Sequence, residues 1–219
     1  MSCDCYIFTG GEVFADTLRE ITDGSLDGAF IIAADSGYKL AKRFGVKPDM
    51  LLGDLDSLDK ATLDERELSE IEKIIVSPIK DDTDTQLAVD TAISRGAERI
   101  FIIGGLGGRL DHTLSSVFLL EYIAQKGIEC VMTDGKNRVR VMHAGTEPVH
   151  LTVSRGYKYL SLVALTDVCR GVSISGVYYP LDNVELMRKY SFAVSNEITA
   201  DASEITLASG TMLVIESRD

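Results

Sequence analysis

Cysteine is scarce in this chain and carries no pattern. Cys3, Cys5, Cys130 and Cys169 form no C-x-x-C pair and have no neighbouring histidine to complete a zinc set, so a reduced, cytoplasmic protein is expected. Cys3 and Cys5, close to the terminus, read as incidental. Long apolar runs are missing as well: nothing approaches the about 18 residues that a membrane helix needs, which excludes such a span. The opening MSCDCYIFTGGEVF has no basic stretch ahead of an apolar one, so it does not read as a signal peptide, and export is not expected. Positive charge is in deficit, with 22 Lys and Arg against 34 Asp and Glu and a net charge of −12. That balance repels a phosphate backbone, excludes general nucleic-acid binding and turns attention to small ligands. Histidine is limited to His112, His143 and His150, and no G-x-S-x-G is present, which leaves little for a Ser-His-Asp site. No G-x-x-x-x-G-K-[ST] occurs, so this is not a P-loop enzyme, and the run from Gly105 to Leu110 lacks the third glycine of a dinucleotide fingerprint.

What is present is an ordinary globular composition, 45% hydrophobic and 26% charged, over 219 residues. A chain of that length buries about 70% of its unfolded surface and folds alone. Up to about Asp134 short β-rich runs alternate with helical patterns, as βαβ units do. The runs are residues 6–9, 30–34, 50–52, 74–77, 100–103 and 129–133. They are mostly continuous Ile, Val, Leu and Phe, as strands covered on both faces require. DTDTQLAVDTAISRG opens with Asp and Thr caps and stops at Gly96; DHTLSSVFLLEYIAQKG repeats the pattern and stops at Gly127. After HAGTEP (143–148) helical periodicity vanishes, and VHLTVS, YLSLVAL, GVSISGVYY, FAVSN, EITL and TMLVIE follow. The expected fold is an N-terminal α/β domain over 1–144, with an open, mostly parallel sheet flanked by helices, and a C-terminal all-β sandwich over 145–219.

In an open parallel sheet ligands bind beyond the carboxyl ends of the strands, where loops diverge and helix N-termini present amides to anions. Five successive runs end there in glycine, acid or hydroxyl clusters. These are Gly10-Gly11, Asp35-Ser36-Gly37, Gly53-Asp54-Leu55-Asp56-Ser57, Lys80-Asp81-Asp82-Thr83-Asp84, and Gly104-Gly105-Leu106-Gly107-Gly108-Arg109-Leu110-Asp111-His112. The opposite edge carries ordinary turns such as Gly45-Val46-Lys47-Pro48. Asp54 and Asp56 offer paired oxygen ligands, with Asp84 or Asp81 as a third, a set that suits Mg²⁺ keeping waters and phosphate oxygens. Gly-rich turns such as that at Gly11 let amides approach phosphates, while Arg109 and Lys80 supply cations for a transferring phosphoryl group. His112 has two readings, a nucleotide contact or a helical residue bonded to a loop.

Taken together and in this order, these motifs resemble those of thiamine pyrophosphokinases, a family that joins an α/β nucleotide domain to a β-sandwich that helps to bind thiamine. The resemblance covers most of the chain. It implies transfer of a pyrophosphoryl group from MgATP to the hydroxyl of thiamine, giving thiamine diphosphate and AMP. Asp54 and Asp56 would hold the metal, with Asp84 a further ligand or the acceptor of the hydroxyl proton. Asp35, Thr83, Arg109, Asp111 and His112 match positions around the nucleotide, with Gly11, Ser36, Lys80 and Asp81 in the same clusters, and Asp111 orients either Arg109 or the ribose. In the β-domain Ser173, Ser175, Gly176, Tyr179, Ser195 and Asn196 match positions at thiamine; the alternative is that Tyr178 and Tyr179 pack and that Ser195-Asn196 makes a turn. The family is dimeric, which implies a homodimer with the partner's β-domain completing the site. The competing functions are a pyrophosphokinase acting on a hydroxymethyl pterin and a non-enzymatic nucleotide or thiamine sensor.

Overall fold

The computed structural model describes residues 3–22, 26–53, 71–75 and 83–219. They fall into two compact units, Met1–Leu119 with Lys126–Gly135, and Leu120–Gln125 with Lys136–Asp219. Among the described residues no helix is long and apolar enough to cross a membrane.

The first unit is a parallel sheet of β1 (Asp4–Phe8), β2 (Phe30–Ala34), β3 (Met50–Gly53), β4 (Glu72–Ile75), β5 (Arg99–Ile103) and β6 (Glu129–Thr133). Its strand order is β6-β5-β1-β2-β3-β4, and each adjacent pair is parallel. The chain thus winds outward from β1 in one direction, returns, and continues from β5 in the other. Loops after β1 and β5 therefore separate to opposite faces of the sheet and leave a crevice at their carboxyl ends. Ile7, Phe8, Ile32, Leu52, Ile100, Ile102 and Ile103 are fully buried, which is why these strands read as continuous apolar runs rather than alternating ones. Tyr6 stacks on Phe101 across the β1–β5 pair, with ring centroids 4.5 Å apart. Asp4 and Arg99 lie opposite each other at the start of the same pair and form an ion pair there.

The helices are α1 (Gly37–Arg43), α2 (Asp84–Ser94) and α3 (Leu110–Gln125). Thr83 caps α2, its hydroxyl accepting a hydrogen bond from the Gln86 amide at 3.1 Å, and Gly96 in the left-handed region ends it. Strand β4 begins at Glu72, two residues ahead of the expected 74–77, of which 76 and 77 lie outside the described residues. Among the described residues it is the last strand of the sheet, and its Ile75 is exposed.

The second unit is antiparallel. One sheet is β12 (Asn196–Glu197), β9 (Tyr159–Ala164), β14 (Gly210–Ser217) and β7 (Asn137–Ala144); the other is β11 (Leu181–Met187), β10 (Val168–Ser175), β13 (Ala202–Leu207) and β8 (Val149–Ser154). Leu160, Leu162, Met212 and Val214 from the first meet Val172, Ile174, Ile205 and Leu207 from the second in one core, the packing of a sandwich. FAVSN, expected as a strand, is irregular up to Asn196. The change of sequence pattern falls after Ala144, whereas the second unit takes in the chain from Lys136 onward, where β7 pairs with β14 along its whole length.

Arg140 and Glu216 sit on the core side of β7 and β14 and pair with each other, the carboxylate only 2% exposed. Removing one member of such a pair takes the nearest counter-charge from the other in a region of low polarity. Arg140→Met is expected to lower unfolding free energy by about 3 kcal/mol, and Arg140→Met with Glu216→Leu to recover most of it. Urea unfolding of the three proteins checks this, and an unaltered midpoint for Arg140→Met would rule it out.

Candidate functional site

A cleft of about 500 Å³ opens at the carboxyl edge of the first unit's sheet, at the separation of β1 from β5. Three loops build it. Gly11 lies so close to the loop after β5 that a Cβ there would stand 1.9 Å from the Gly104 carbonyl oxygen. Gly104 itself has φ +83, a conformation that side chains disfavour. The loop after β2 begins with Asp35, whose φ of 50 is left-handed and whose amide donates to the Leu52 carbonyl at 2.7 Å. A non-glycine residue held there stores about 1–2 kcal/mol, least for Asp and Asn. The result is a glycine-rich stretch of wall, with Gly10, Gly11, Gly104, Gly105, Gly107 and Gly108 lining the cleft without side chains of their own.

Two helices of full length begin at this cleft. Thr83, Asp84 and Thr85 line it at the start of α2, and Arg109 and His112 line it at the start of α3. Helix N-termini add partial positive charge to the wall and favour phosphate. Thr113 donates to the Gly107 carbonyl at 3.1 Å and ties the glycine loop to α3.

Arg109 is exposed toward solvent and held by Asp111 in a two-point pair, Nε to Oδ1 at 3.1 Å and Nη2 to Oδ2 at 2.6 Å. The Asp111 Oδ1 also accepts from the His112 amide at 3.0 Å. The Arg109 hydrogen bond, with that amide, lowers the Asp111 carboxyl to about 2, and the same pair raises the Arg109 guanidinium. A depressed acid is charged above its pKa and neutral below it, so the pair persists through neutral pH and is lost only as pH falls toward 2. Of the two orientations open to Asp111, its carboxylate here faces Arg109.

The structure therefore brings Gly11, Asp35, Ser36, Thr83, Asp84, Arg109 and His112 to one cleft, with Asp111 behind Arg109. Asp54, Asp56, Lys80 and Asp81 lie outside the described residues. Among the described residues no three His, Cys, Asp or Glu side chains gather as a metal site. Asp35 and Asp84 bring hard oxygen donors, the type that Mg²⁺ takes, to that one cleft. Ser116 and Thr85 also line the cleft and are not evident from the strand-end motifs. Ser116, buried, lies one helical turn beyond His112, a spacing that puts both on one face of α3.

A second concavity of about 490 Å³ lies within the second unit, walled by Tyr178, Tyr179, Pro180, Phe192, Val194 and Asn196. Tyr178 and Tyr179 are each 66% exposed and pack edge to face, 4.8 Å between centroids, so neither belongs to the core. Ser195 has φ +60, and its amide donates to the Ser161 hydroxyl at 2.9 Å. Ser173 and Ser175 stand apart from this concavity: the Ser173 hydroxyl accepts from the Asn183 amide, and the Ser175 carbonyl accepts from Ser203. Phe192 and Val194 were hidden in FAVSN, whose alternation reads as strand.

Residues 26–132 match the thiamin pyrophosphokinase catalytic domain, and residues 147–212 match the thiamin pyrophosphokinase vitamin B1 binding domain. Thiamine pyrophosphokinase of Bacillus subtilis is 27% identical over 193 residues, 86% of this chain and 87% of that protein. Thiamin pyrophosphokinase 1 of Caenorhabditis elegans is 27% identical over 179 residues, 79% of this chain and 71% of its own. The crystal structure of the Bacillus subtilis protein superposes with a TM-score of 0.85 at 25% identity over 99% of both chains. That of thiamin pyrophosphokinase from Geobacillus thermodenitrificans superposes with a TM-score of 0.83 at 27% identity, over 99% of this chain and 98% of the other. Matched along both halves by the two domains of one family, and along nearly its whole length by structures of that family, the chain belongs to the thiamin pyrophosphokinase family.

Proposed function

We propose that this chain is an enzyme that transfers a pyrophosphoryl group from ATP to the hydroxyl of thiamine, releasing AMP and thiamine diphosphate. The observation that carries the mechanism is the cleft beyond the ends of β1 and β5, where glycine loops, two helix N-termini and a braced arginine converge on space that suits a triphosphate. In the reaction the thiamine oxygen attacks the β-phosphorus, the bond to the α-phosphate oxygen breaks, and AMP leaves with that oxygen. The hydroxyl proton passes to a carboxylate, and Asp84 is the described candidate. Arg109, held by Asp111, opposes the charge that develops on the transferring group. Asp54 and Asp56 are the proposed principal ligands of Mg²⁺, and Asp84 is either a third ligand or that proton acceptor; when bound, the ion would neutralise phosphate charge.

Thiamine is assigned to the aromatic concavity of the second unit. Exposed ring faces at Tyr178 and Tyr179 suit a flat, cationic acceptor such as its thiazolium. We further propose that the protein works as a homodimer in the cytoplasm. Leu110, Leu114 and Phe118, exposed at four-residue spacing along α3, and Tyr190 and Phe192, exposed on the second unit, support self-association.

Phosphorus NMR of the purified protein with MgATP should show AMP and a diphosphate ester only when thiamine is added. ADP with a monophosphate ester would mean a different transfer, and turnover only with a hydroxymethyl pterin would reassign the acceptor. Chelating Mg²⁺ should abolish turnover, and Asp54→Asn should reduce kcat by on the order of 10³-fold; full rate in either test would remove the metal assignment. Tyr179→Ala should raise KM for thiamine and leave that for ATP little changed. At thiamine well below the raised KM, mixing it with Asp54→Asn should give more activity than the two variants show separately, if one chain supplies the nucleotide cleft and another the aromatic concavity; no gain places both in one chain.

A further inference from the structure

Asn196 matches a thiamine position in sequence, yet its side chain is committed elsewhere. Its Oδ1 accepts from the Tyr179 amide at 3.0 Å and from the Glu197 amide at 3.0 Å, while its Nδ2 donates to the Tyr179 carbonyl at 2.8 Å. The residue is 8% exposed. A side-chain amide that meets both the N–H and the C=O of one residue imitates the partner strand that the residue lacks.

The reason for that lack is local. Residues 176–178 are held by main-chain bonds to 197–199: Tyr178 donates to Glu197 at 2.9 Å, Thr199 donates to Gly176 at 2.9 Å, and Val177 bridges Ile198. At Ser195 the chain turns into the left-handed region, and its amide goes to Ser161 instead. The main-chain bonds between the segments end at Tyr178 and Glu197; Tyr179, the next residue, stands where an antiparallel ladder turns amide and carbonyl away from that partner, and Pro180 beyond it has no N–H. Without a substitute, Tyr179 would carry an unpaired amide and carbonyl at the root of an exposed ring.

We infer that Asn196 is a positioning residue: it holds the Tyr179 main chain, and through it the ring that walls the concavity, rather than contacting the acceptor itself. This rests on the assignment of thiamine to that concavity, and a double-mutant cycle in the full-length protein separates the two claims. Asn196→Ala should raise the thiamine KM by about 10-fold, by no more than Tyr179→Ala does, with kcat and the ATP KM little altered. In the Tyr179→Ala background the same change should have an effect of less than about 2-fold, because the group through which it acts is gone. Effects that multiply in full would make Asn196 a direct contact and overturn the inference. Tyr179→Ala with an unchanged thiamine KM would instead remove the acceptor site, and the positioning role with it. Asn196→Asp, which keeps both accepted hydrogen bonds and loses the donated one, carries the same cycle if the alanine variant does not fold.

Discussion

The parallel pairing of β1 with β5 is the constraint from which the candidate site follows. Because the chain winds outward from β1 and later resumes at β5 on its other side, the loops that follow these strands part and leave a crevice between them. The crevice is usable only because Gly11 meets the Gly104 carbonyl at a distance that no Cβ would permit. Glycine backbone then forms one part of the wall, beside the side chains of Asp35, Thr83, Asp84 and Arg109, and the starts of α2 and α3 add their dipoles to it. Packing behind this edge keeps it in place: Tyr6 on Phe101, and Asp4 with Arg99, fasten the same two strands whose loops diverge.

Charge at the site is handled by pairing. An exposed arginine alone would sample many rotamers, and Asp111, two residues on, narrows them through two hydrogen bonds while its own carboxyl is lowered to about 2. The same device appears in neutral form in the second unit, where the Asn196 amide restrains the Tyr179 main chain. In both places a short polar side chain fixes a larger group that stays exposed.

Much of this is legible in residue order. Continuous apolar runs at β2 and β6 announce strands covered on both faces, and the caps at Thr83 and Gly96 bound α2 closely. The strand-end clusters identify Gly11, Asp35, Ser36, Thr83, Asp84, Arg109 and His112, all of which meet at one cleft. Less legible is the start of β4, where Glu72 and Lys73 are exposed and offer no apolar side chain to mark a strand. FAVSN alternates as a strand would, yet Ser195 turns left-handed and the segment becomes the rim of a concavity. Ser116 was silent because a buried serine inside a helix looks like any other.

The sequence by itself determined the periodicities, the caps and the order of the acidic and glycine clusters, since these depend on neighbours along the chain. Tertiary structure alone decided which way polar side chains turn. Asp111 facing Arg109, Asn196 facing Tyr179 and Ser173 facing the Asn183 amide are choices among partners brought close by folding. A hydrogen bond is short and directional, so its partner is set by position in space, and spacing along the chain does not encode it.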